Sequence, residues 1–316
     1  MKLIIQIPCY NEEKTLPPTL KDLPKKIEGV DEIEVLVIND GSSDATVEVA
    51  KREGVHHVLD LPVNSGLAKA FRCGLEKSVE LGADIIVNTD GDNQYQGQDI
   101  PKLIEPILRR KAEIVIGCRD ISAISHFSPV KKLLQNFGSC VVRKFSKTDI
   151  PDTTSGFRAY TKDAALRINI FSNYTYTIES IIQAGRKDIP ITHVNISTNG
   201  KLRESRLIKN IYSYMTRSIA TMMRIYLMYE PLKSFIKISL VPISLSVVLI
   251  TRFLIAHFTR HQGGHVQSLV IAAAGLILGF IIIMIGLLGD LISANRKLNE
   301  EILYRLKKNA LNSKGR

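Results

Sequence analysis

Two carboxylates one residue apart are the strongest chemical signal in this sequence. Asp90-Gly91-Asp92 follows an apolar run, and Gln94 comes two residues later. Carboxylates held at a glycine turn can converge on one divalent cation, and Mg²⁺ or Mn²⁺ bound in this way usually keeps a substrate phosphate among its ligands. We therefore predict that Asp90 and Asp92 bind a divalent metal and that Gln94 adds an amide oxygen. The alternative is a plain turn closed by an aspartate side chain.

A second acidic cluster, Asp40-Gly41-Ser42-Ser43-Asp44, follows another apolar run. A carboxylate at the end of a strand can recognise a nucleobase or a ribose, so we predict that Asp40 binds the base of a nucleotide. Asp44 has two interpretations that the sequence leaves open. It is either a further ligand or the N-cap of the helix that follows.

Two further segments have residue types that suit phosphate binding. Residues 64–70 open a helix, whose free N–H groups can hold a diphosphate while Lys69 adds charge. The alternative there is a capped helix with a solvated lysine. Residues 152–160 form a turn of small residues, in which Gly156 permits a close approach of the backbone and Arg158 can complement a phosphate. Without its context, the second segment is only a loop.

The elements that must position these residues follow from the alternation of short apolar runs with longer amphipathic ones. The predicted strands are Leu3–Pro8, Glu34–Asn39, Val55–Leu59, Asp84–Asn88 and Ile114–Cys118, and the predicted helices are Glu12–Ile27, Asp44–Gly54, Ser65–Leu81 and Pro101–Lys111. Such an alternation indicates an α/β domain with a buried, mostly parallel sheet. Ligands of such sheets bind at the carboxyl ends of the strands, so the polar strand ends predict one site.

Charge and cysteine content exclude several classes of protein. Residues 1–200 contain 25 Lys/Arg and 26 Asp/Glu, a net charge of −1, whereas residues 201–316 contain 17 and 5, a net charge of +12. Because the positive charge belongs to the last third alone, we expect no nucleic-acid partner. The four cysteines are far apart and form no C-x-x-C pair, which argues against a zinc site and a disulfide framework.

The last third of the chain contains two long apolar segments, 238–258 and 269–289. Each is long enough to cross a bilayer core of about 30 Å as a helix. Lys and Arg are concentrated outside the pair and are sparse in the connecting segment, so the positive-inside rule places both termini in the cytoplasm. The sequence therefore predicts an integral membrane protein with two spans and a cytoplasmic catalytic domain.

The segment before the spans is amphipathic at helical spacing. This pattern predicts a helix that lies in the membrane interface, although an ordinary helix packed on the domain has the same pattern. We accordingly divide the chain into a catalytic domain at 1–206, an interface helix at 207–232, a hairpin at 233–292 and a basic tail at 293–316. The oligomeric state stays open, and a homo-oligomer is compatible with the sequence.

Five motifs in this order resemble those of glycosyltransferase family 2, which has the GT-A fold. They are Ile7-Pro8-Cys9-Tyr10-Asn11-Glu12, Asn39-Asp40-Gly41-Ser42-Ser43-Asp44, Asp90-x-Asp92-x-Gln94, Gly117-x-Arg119 and Ser155-Gly156-Phe157-Arg158. The likeness covers residues 1–230 and is closest to the polyprenyl-phosphate sugar transferases. The usual Asp-Asp pair is Asn39-Asp40 here. The Gln-x-x-Arg-Trp signature of the processive synthases is excluded because the chain has no tryptophan.

The resemblance implies roles for particular residues. The nucleotide-sugar would be bound by Pro8, Tyr10, Glu12, Asp40, Lys69, Asp90 and Ser155. The metal would be held by Asp90, Asp92 and Gln94, and the catalytic residues would be Asp92, Arg119, Arg158 and Glu179. Arg203 and Arg206 would guide the acceptor phosphate.

The resemblance also implies an activity. We expect an inverting, metal-dependent transfer of one sugar from a UDP- or GDP-linked donor to a polyprenyl phosphate at the cytoplasmic face of the membrane. One alternative is a family 2 enzyme that acts on a hydroxyl of a glycolipid or glycan. An alternative of another class is a non-catalytic membrane scaffold that binds a nucleotide-sugar. We do not expect a channel or transporter, because there are only two spans and no ionisable pair lies between them.

Overall fold

The structure is a computed structural model that describes most of the chain. The described residues are 1–119, 139, 142–143, 145–171, 176–200, 220, 223–224, 226–260 and 266–314. The chain divides into two compact units, one comprising Met1–Met222 with Tyr304–Arg316 and the other Met223–Leu303. The boundary between the units thus falls inside the predicted interface helix, and most of that helix lies outside the described residues.

The described part of the first unit is an α/β domain. Its strands are β1 (Lys2–Cys9), β2 (Glu32–Asp40), β3 (His57–Leu61), β4 (Ile85–Asn88), β5 (Ile114–Arg119), β6 (Arg158–Thr161) and β7 (Ile191–Ile196). Its helices are α1 (Leu16–Lys21), α2 (Thr46–Arg52), α3 (Leu67–Glu80), α4 (Ile100–Leu108), α5 (Lys162–Arg167) and α6 (Thr177–Arg186). A 3₁₀ turn, Gly97–Asp99, precedes α4.

The seven strands form one sheet in the order β3-β2-β1-β4-β6-β5-β7. All neighbours are parallel except β6, which runs antiparallel to both β4 and β5. The central strand β1 is buried from Leu3 to Cys9, and β4 is buried throughout, because helices cover both faces of the sheet. The predicted α/β fold with a mostly parallel sheet is confirmed.

One predicted helix is much shorter than expected. The sequence predicts a helix over Glu12–Ile27, whereas α1 covers only Leu16–Lys21. Pro17 and Pro18 are tolerated because the first turn of a helix needs no backbone N–H partners, and Pro24 prevents the helix from continuing. The shortened helix leaves Glu12 in the loop between β1 and α1.

The second unit is built on two helices, α7 (Pro231–Arg260) and α8 (Val266–Lys314). Each contains an 18-residue window of high mean hydropathy, 2.2 in α7 and 2.9 in α8, so by length and composition both are able to cross a membrane. Many of their large apolar side chains are exposed, for example Val241 at 69% and Ile292 at 71%. Exposed apolar surface of this kind is suited to lipid rather than to water.

Small residues allow α7 and α8 to approach each other closely. A Cβ at Gly279 would overlap the side chain of Ile243, and one at Gly289 would lie 2.9 Å from Pro231. Small residues at helix contacts are typical of membrane helix pairs, where backbone proximity replaces the hydrophobic effect as the source of stability. The two predicted spans therefore pack as a hairpin.

The predicted basic tail is helical and continues α8 to Lys314. Its last turns belong to the first unit, where the hydroxyl of Tyr304 donates a hydrogen bond to Asp163 at 2.5 Å. The guanidinium of Arg167 lies 5.3 Å from the centre of the Tyr304 ring, and Lys307 Nζ lies 3.4 Å from Glu76 Oε1. The end of the tail thus packs against α3 and α5.

Candidate functional site

The carboxyl ends of β1 and β2 are joined by hydrogen bonds between their loops. The backbone N–H of Asn11 donates to Ser42 Oγ at 2.9 Å, and Ser43 N donates to Asn11 Oδ1 at 2.8 Å. The loop after β4 lies beside them, since a Cβ at Gly91 would lie 3.0 Å from Cys9 Sγ and 3.4 Å from Glu12 Cγ. Three polar strand ends therefore meet at one edge of the sheet.

Negative charge is concentrated at this edge. Burial raises the pKa of the Cys9 thiol well above its usual value, and four neighbouring carboxylates raise it further. These carboxylates belong to Glu12, Asp90, Asp44 and Asp92. A divalent cation bound here would offset their mutual repulsion, so the donor set fits the predicted metal.

The turn from Asp90 to Gln94 supports this assignment and changes one part of it. Gln94 Nε2 donates to Asp92 Oδ2 at 2.8 Å, and Gln94 N lies 3.3 Å from Asp92 Oδ1. The amide of Gln94 therefore orients Asp92 as a donor, whereas the sequence predicted that it acts as a ligand through its oxygen. Within the described ranges, no three His, Cys, Asp or Glu side chains form a metal-ligand cluster. Two carboxylates completed by substrate phosphates and water are a usual Mg²⁺ arrangement.

Asp40 is buried and its carboxylate organises the loop before α3. Ser65 N donates to one oxygen at 2.7 Å, and Gly66 N donates to the other at 2.9 Å. The expectation that the N–H groups of residues 64–70 are free to hold a diphosphate is therefore wrong for Ser65 and Gly66, whose N–H groups Asp40 accepts. Lys69 extends from the first turn of α3, and its Nζ lies 3.2 Å from Ser65 Oγ.

The neighbouring residues of this motif are also held by hydrogen bonds. Asn39 donates to Asp60 Oδ1 at 2.6 Å. Asp44 accepts hydrogen bonds from Thr46 N at 3.1 Å and Glu13 N at 3.2 Å. The N-cap of α2 is Ala45, so Asp44 is not the N-cap that the sequence predicted. Its carboxylate instead joins the start of α2 to the loop after β1.

The residues predicted from the first motif differ in their access to a ligand. Pro8 is buried in β1, and Glu12 is 6% exposed and accepts a hydrogen bond from Thr15 Oγ1. Tyr10 is 41% exposed, so its ring can contact a ligand at the surface of the site. Pro8 and Glu12 are both buried, so they support the segment that carries Tyr10.

Arg158 was predicted to contact a phosphate, and the structure contradicts this. The side chain is fully buried, and its guanidinium donates to main-chain oxygens and to one hydroxyl. The acceptors are Ser155 O at 2.7 Å, Thr177 O at 2.9 Å, Ser180 Oγ at 2.6 Å and Thr153 O at 3.1 Å. An arginine with these partners fastens the 152–157 loop to α6 and has no access to substrate.

Arg119 was also predicted as a catalytic residue, and it too supports this loop. Its guanidinium forms a bidentate ion pair with Asp152, in which Nε lies 2.7 Å from Oδ2 and Nη2 lies 3.2 Å from Oδ1. Nη2 also donates to Thr154 Oγ1 at 3.0 Å. Burial opposes the ionisation of Asp152, but the guanidinium of Arg119 keeps the pKa of that carboxyl below its usual value. The pair is a permanent part of the loop.

The loop brings its backbone against the acidic turn. A Cβ at Gly156 would lie 2.9 Å from both carboxylate oxygens of Asp90, so this position accepts only glycine without displacement. Asn88 Nδ2 donates to Gly156 O at 2.8 Å and to Tyr176 Oη at 2.9 Å. Ser155 is buried and its Oγ accepts from Phe157 N at 3.3 Å, so the predicted contact of Ser155 with the donor is contradicted.

Glu179 lies in the first turn of α6 and is 2% exposed. Its Oε1 atom accepts hydrogen bonds from Phe171 N at 3.1 Å and Gln183 Nε2 at 3.3 Å. These contacts suit a structural or orienting role. Arg203 and Arg206, the predicted guides of the acceptor phosphate, lie outside the described residues.

Sequence reasoning missed the residues that hold the loop. They are Asn88, Tyr95, Asp152 and Tyr176, each of them buried. Asp152 opens the small-residue turn and could have been recognised as a partner for an arginine. The other three are ordinary polar or aromatic residues at the end of β4, after the acidic turn and before α6, and no spacing distinguishes them.

Together, the sheet order, the acidic strand ends and the glycine-containing loop define an α/β fold with a candidate ligand site at the carboxyl edge of its parallel strands. The sequence profile described as Glycosyl transferase family 2 matches residues 4–168, which is more than half of the 316-residue chain. The chain therefore belongs to glycosyl transferase family 2 and is a glycosyltransferase.

Curated relatives support the same family. The undecaprenyl-phosphate mannosyltransferase of Micrococcus luteus is 30% identical over 209 residues, which are 61% of this chain and 84% of that protein. The UDP-N-acetylglucosamine–dolichyl-phosphate N-acetylglucosaminyltransferase of Methanococcus voltae is 30% identical over 217 residues, covering 61% and 83%.

A solved structure shares the fold. The glucosyl-3-phosphoglycerate synthase of Mycobacterium tuberculosis, in complex with Mn²⁺, UDP and glucosyl-3-phosphoglycerate, superposes with a TM-score of 0.57 at 19% identity. The match covers 71% of this chain and 79% of that one.

Proposed function

We propose that the protein transfers one sugar from a nucleotide-sugar to the phosphate of a polyprenyl carrier, with inversion at the anomeric carbon. The observation that carries this proposal is the acidic turn Asp90–Gln94 at the carboxyl edge of a family 2 fold, where its two carboxylates lie near those of Glu12 and Asp44. The names of the two bacterial and archaeal relatives support the acceptor, because both proteins are named as transferring sugars to polyprenyl phosphates.

Asp90 and Asp92 would hold the divalent metal on the donor side, either Mg²⁺ or Mn²⁺. Bound there, the metal would offset the negative charge that develops on the departing nucleoside diphosphate. Mn²⁺ accompanies UDP in the mycobacterial fold neighbour, which supports a divalent ion. Gln94 would keep Asp92 in place through the hydrogen bond that it donates.

The remaining donor contacts would come from the ends of β1 and β2. The exposed ring of Tyr10 would lie against the nucleotide, and Lys69 would contribute charge near the diphosphate. The carboxylate of Asp40 would act mainly through the loop that it fastens, since both of its oxygens already accept backbone N–H groups. UDP-linked and GDP-linked donors both fit this description.

The acceptor would attack without a protein base. A phosphate monoester has a second pKa of about 6, so it carries most of its charge at neutral pH and needs no proton removed. The attack would displace the nucleoside diphosphate in a single step from the opposite side, which gives inversion. Glu179 agrees with this, because it is buried and accepts a backbone hydrogen bond. Arg203 and Arg206 would bind the acceptor phosphate.

The hairpin of α7 and α8 would hold the enzyme at the cytoplasmic face of the membrane, with both termini on that side. The distribution of Lys and Arg supports this orientation, since residues 201–316 contain 17 basic residues that are concentrated outside the apolar spans.

A substrate panel tests the proposal. The full-length protein in sealed vesicles is given polyprenyl phosphate and UDP- or GDP-linked sugars on the cytoplasmic side, and the lipid products are measured by mass spectrometry. We expect a polyprenyl-phosphate sugar that requires Mg²⁺ or Mn²⁺. A sugar on a glycolipid hydroxyl would favour the other acceptor class. Binding of nucleotide-sugar without any turnover would favour the scaffold.

A further inference from the structure

Tyr95 follows directly after the acidic turn and has no role in the function proposed above. The side chain is 5% exposed, and its ring stacks on Phe157 with the ring centres 5.2 Å apart and the planes at 10°. The guanidinium of Arg119 lies 5.9 Å from the centre of the ring. The ring of Tyr95 is therefore fixed between a strand end and the 152–157 loop.

The main chain of Tyr95 is fixed as well. It forms an isolated antiparallel bridge with Thr198, and its carbonyl oxygen accepts a hydrogen bond from Asn199 Nδ2 at 3.3 Å. The backbone N–H of Asn199 in turn donates to Gln94 O at 2.9 Å. With ring and backbone both held, the hydroxyl of Tyr95 has a fixed position.

That hydroxyl accepts a hydrogen bond from the backbone N–H of Gly156 at 2.9 Å. On its other side, Gly156 adjoins the carboxylate of Asp90, since a Cβ added to it would lie 2.9 Å from both oxygens. The contacts therefore run from the hydroxyl of Tyr95, through the backbone of Gly156, to the metal-binding side chain of Asp90.

We propose that Tyr95 is a positioning residue for the metal site. Its hydroxyl holds the backbone of Gly156 in place, and Gly156 packs against the carboxylate of Asp90. Tyr95 thereby fixes the position from which Asp90 would bind the cation. This inference rests on the proposed role of Asp90 and Asp92. It assigns the residue after the turn to the same function, with Tyr95 acting through Gly156 rather than as a metal ligand.

The test compares two Tyr→Phe substitutions that each remove one buried hydroxyl. Tyr95→Phe keeps the stacked ring and removes the acceptor for Gly156 N. Tyr160→Phe is the matched control, because Tyr160 is fully buried in β6 and its hydroxyl has no hydrogen-bond partner within the described ranges. Binding of Mn²⁺ is measured by electron paramagnetic resonance with UDP and, separately, with GDP, on full-length protein without acceptor.

We expect Tyr95→Phe to weaken Mn²⁺ binding about tenfold or more, which is usual when a residue that supports a metal ligand is changed. Tyr160→Phe should bind Mn²⁺ as the wild type does. The thermal unfolding midpoints of both variants are compared with that of the wild type, so that misfolding is recognised. Wild-type Mn²⁺ affinity in Tyr95→Phe would overturn the inference, and so would an equal loss in Tyr160→Phe.

A second variant keeps the inference testable if Tyr95→Phe proves unstable. Gly156→Ala places a Cβ against both Asp90 oxygens, and we expect it to weaken Mn²⁺ binding by the same route. Unchanged Mn²⁺ affinity in Gly156→Ala would overturn the inference. Because this readout is binding, intact Mn²⁺ binding without sugar transfer would contradict the proposed function alone. A wild-type protein that binds no Mn²⁺ would overturn both.

Discussion

The acidic turn at 90–94 and the loop at 152–158 are both charged, and both were predicted from the sequence to contact substrate. In the structure, Asp90 and Asp92 are half-buried at the edge of the sheet, whereas Asp152, Ser155 and Arg158 are fully buried. The turn keeps its charge where a ligand can meet it. The loop uses its charges to hold its own backbone.

The difference comes from the partners that each charge has available. A buried guanidinium must satisfy five N–H donors, and Arg158 finds acceptors in the carbonyls of its own loop and of α6. The carboxylates at the strand edge lie close to one another and share one sign of charge, so a bound cation would lower their mutual repulsion. A charged motif is therefore no guide to contact with substrate until its partners are known.

The largest expected effect is a loss of activity on changing the acidic turn at 90–94. Asp92→Asn should lower sugar-transfer turnover by at least about 10²–10³-fold, because it removes charge that would hold the metal at the departing diphosphate. The thermal unfolding midpoint should stay unchanged. Asp188→Asn, at an exposed position in a turn, is the control and should keep full activity. Full activity in Asp92→Asn would contradict the claim that the turn, unlike the loop, acts on the substrate.

The next effect concerns the stability of the loop. Arg158→Met removes the donors of three buried carbonyls, and we expect the free energy of unfolding to fall by about 3–5 kcal/mol. Arg52→Met is the matched control, because the Arg52 side chain is 71% exposed. Its effect should stay within about 0.5 kcal/mol. A stable Arg158→Met protein with a raised KM for polyprenyl phosphate would instead indicate that Arg158 contacts the acceptor.

A smaller effect is expected for Asp152→Asn, which keeps the shape of the side chain and removes its charge. We expect the free energy of unfolding to fall by about 1–3 kcal/mol at neutral pH, because the charged Arg119 would then be paired with a neutral amide. Since the pKa of Asp152 is lowered in the folded protein, its ionic contribution exists above the ordinary carboxyl range and is lost as the pH falls through that lowered value. Denaturant unfolding of both proteins should therefore converge at low pH. A difference that grows on acidification would contradict the ion pair.

The smallest effect is expected for Glu179→Gln, which should keep a substantial fraction of kcat. The amide oxygen can still accept the hydrogen bond of Phe171 N, and a phosphate acceptor requires no base. Steady-state kinetics with both substrates check this. A loss of about 10³-fold or more in kcat at unchanged KM lies in the range of general-base catalysis. Such a loss would indicate that the acceptor is a hydroxyl group, which needs a general base.

The sequence predicted the framework better than the site. Runs such as Leu3–Pro8 are apolar except for Gln6, so β1 to β5 could be placed from composition and flanking turns. The short strand β6 begins with an arginine, and neither it nor β7 gave such a signal. The shortening of α1 follows from three prolines that the helical spacing concealed.

Within the site, residues adjacent in sequence were predictable and distant partners were not. Asp90 and Asp92 form one turn, so their spacing alone predicts convergence. Arg119 and Asp152 are 33 positions apart, and only the folded sheet brings them within 2.7 Å of each other. The sequence showed which residues are charged but not which charges neutralise each other.

The most direct test of the central claim is the coupling of bound Mn²⁺ to nucleotide phosphorus, measured by electron–nuclear double resonance with UDP and with GDP. We predict a ³¹P coupling in the wild-type protein, because the metal would be shared between the turn at 90–94 and the diphosphate. Asp92→Asn should lose that signal at the same Mn²⁺ concentration. A wild-type protein without phosphorus coupling, or an Asp92→Asn variant that keeps it at full strength, would contradict the claim.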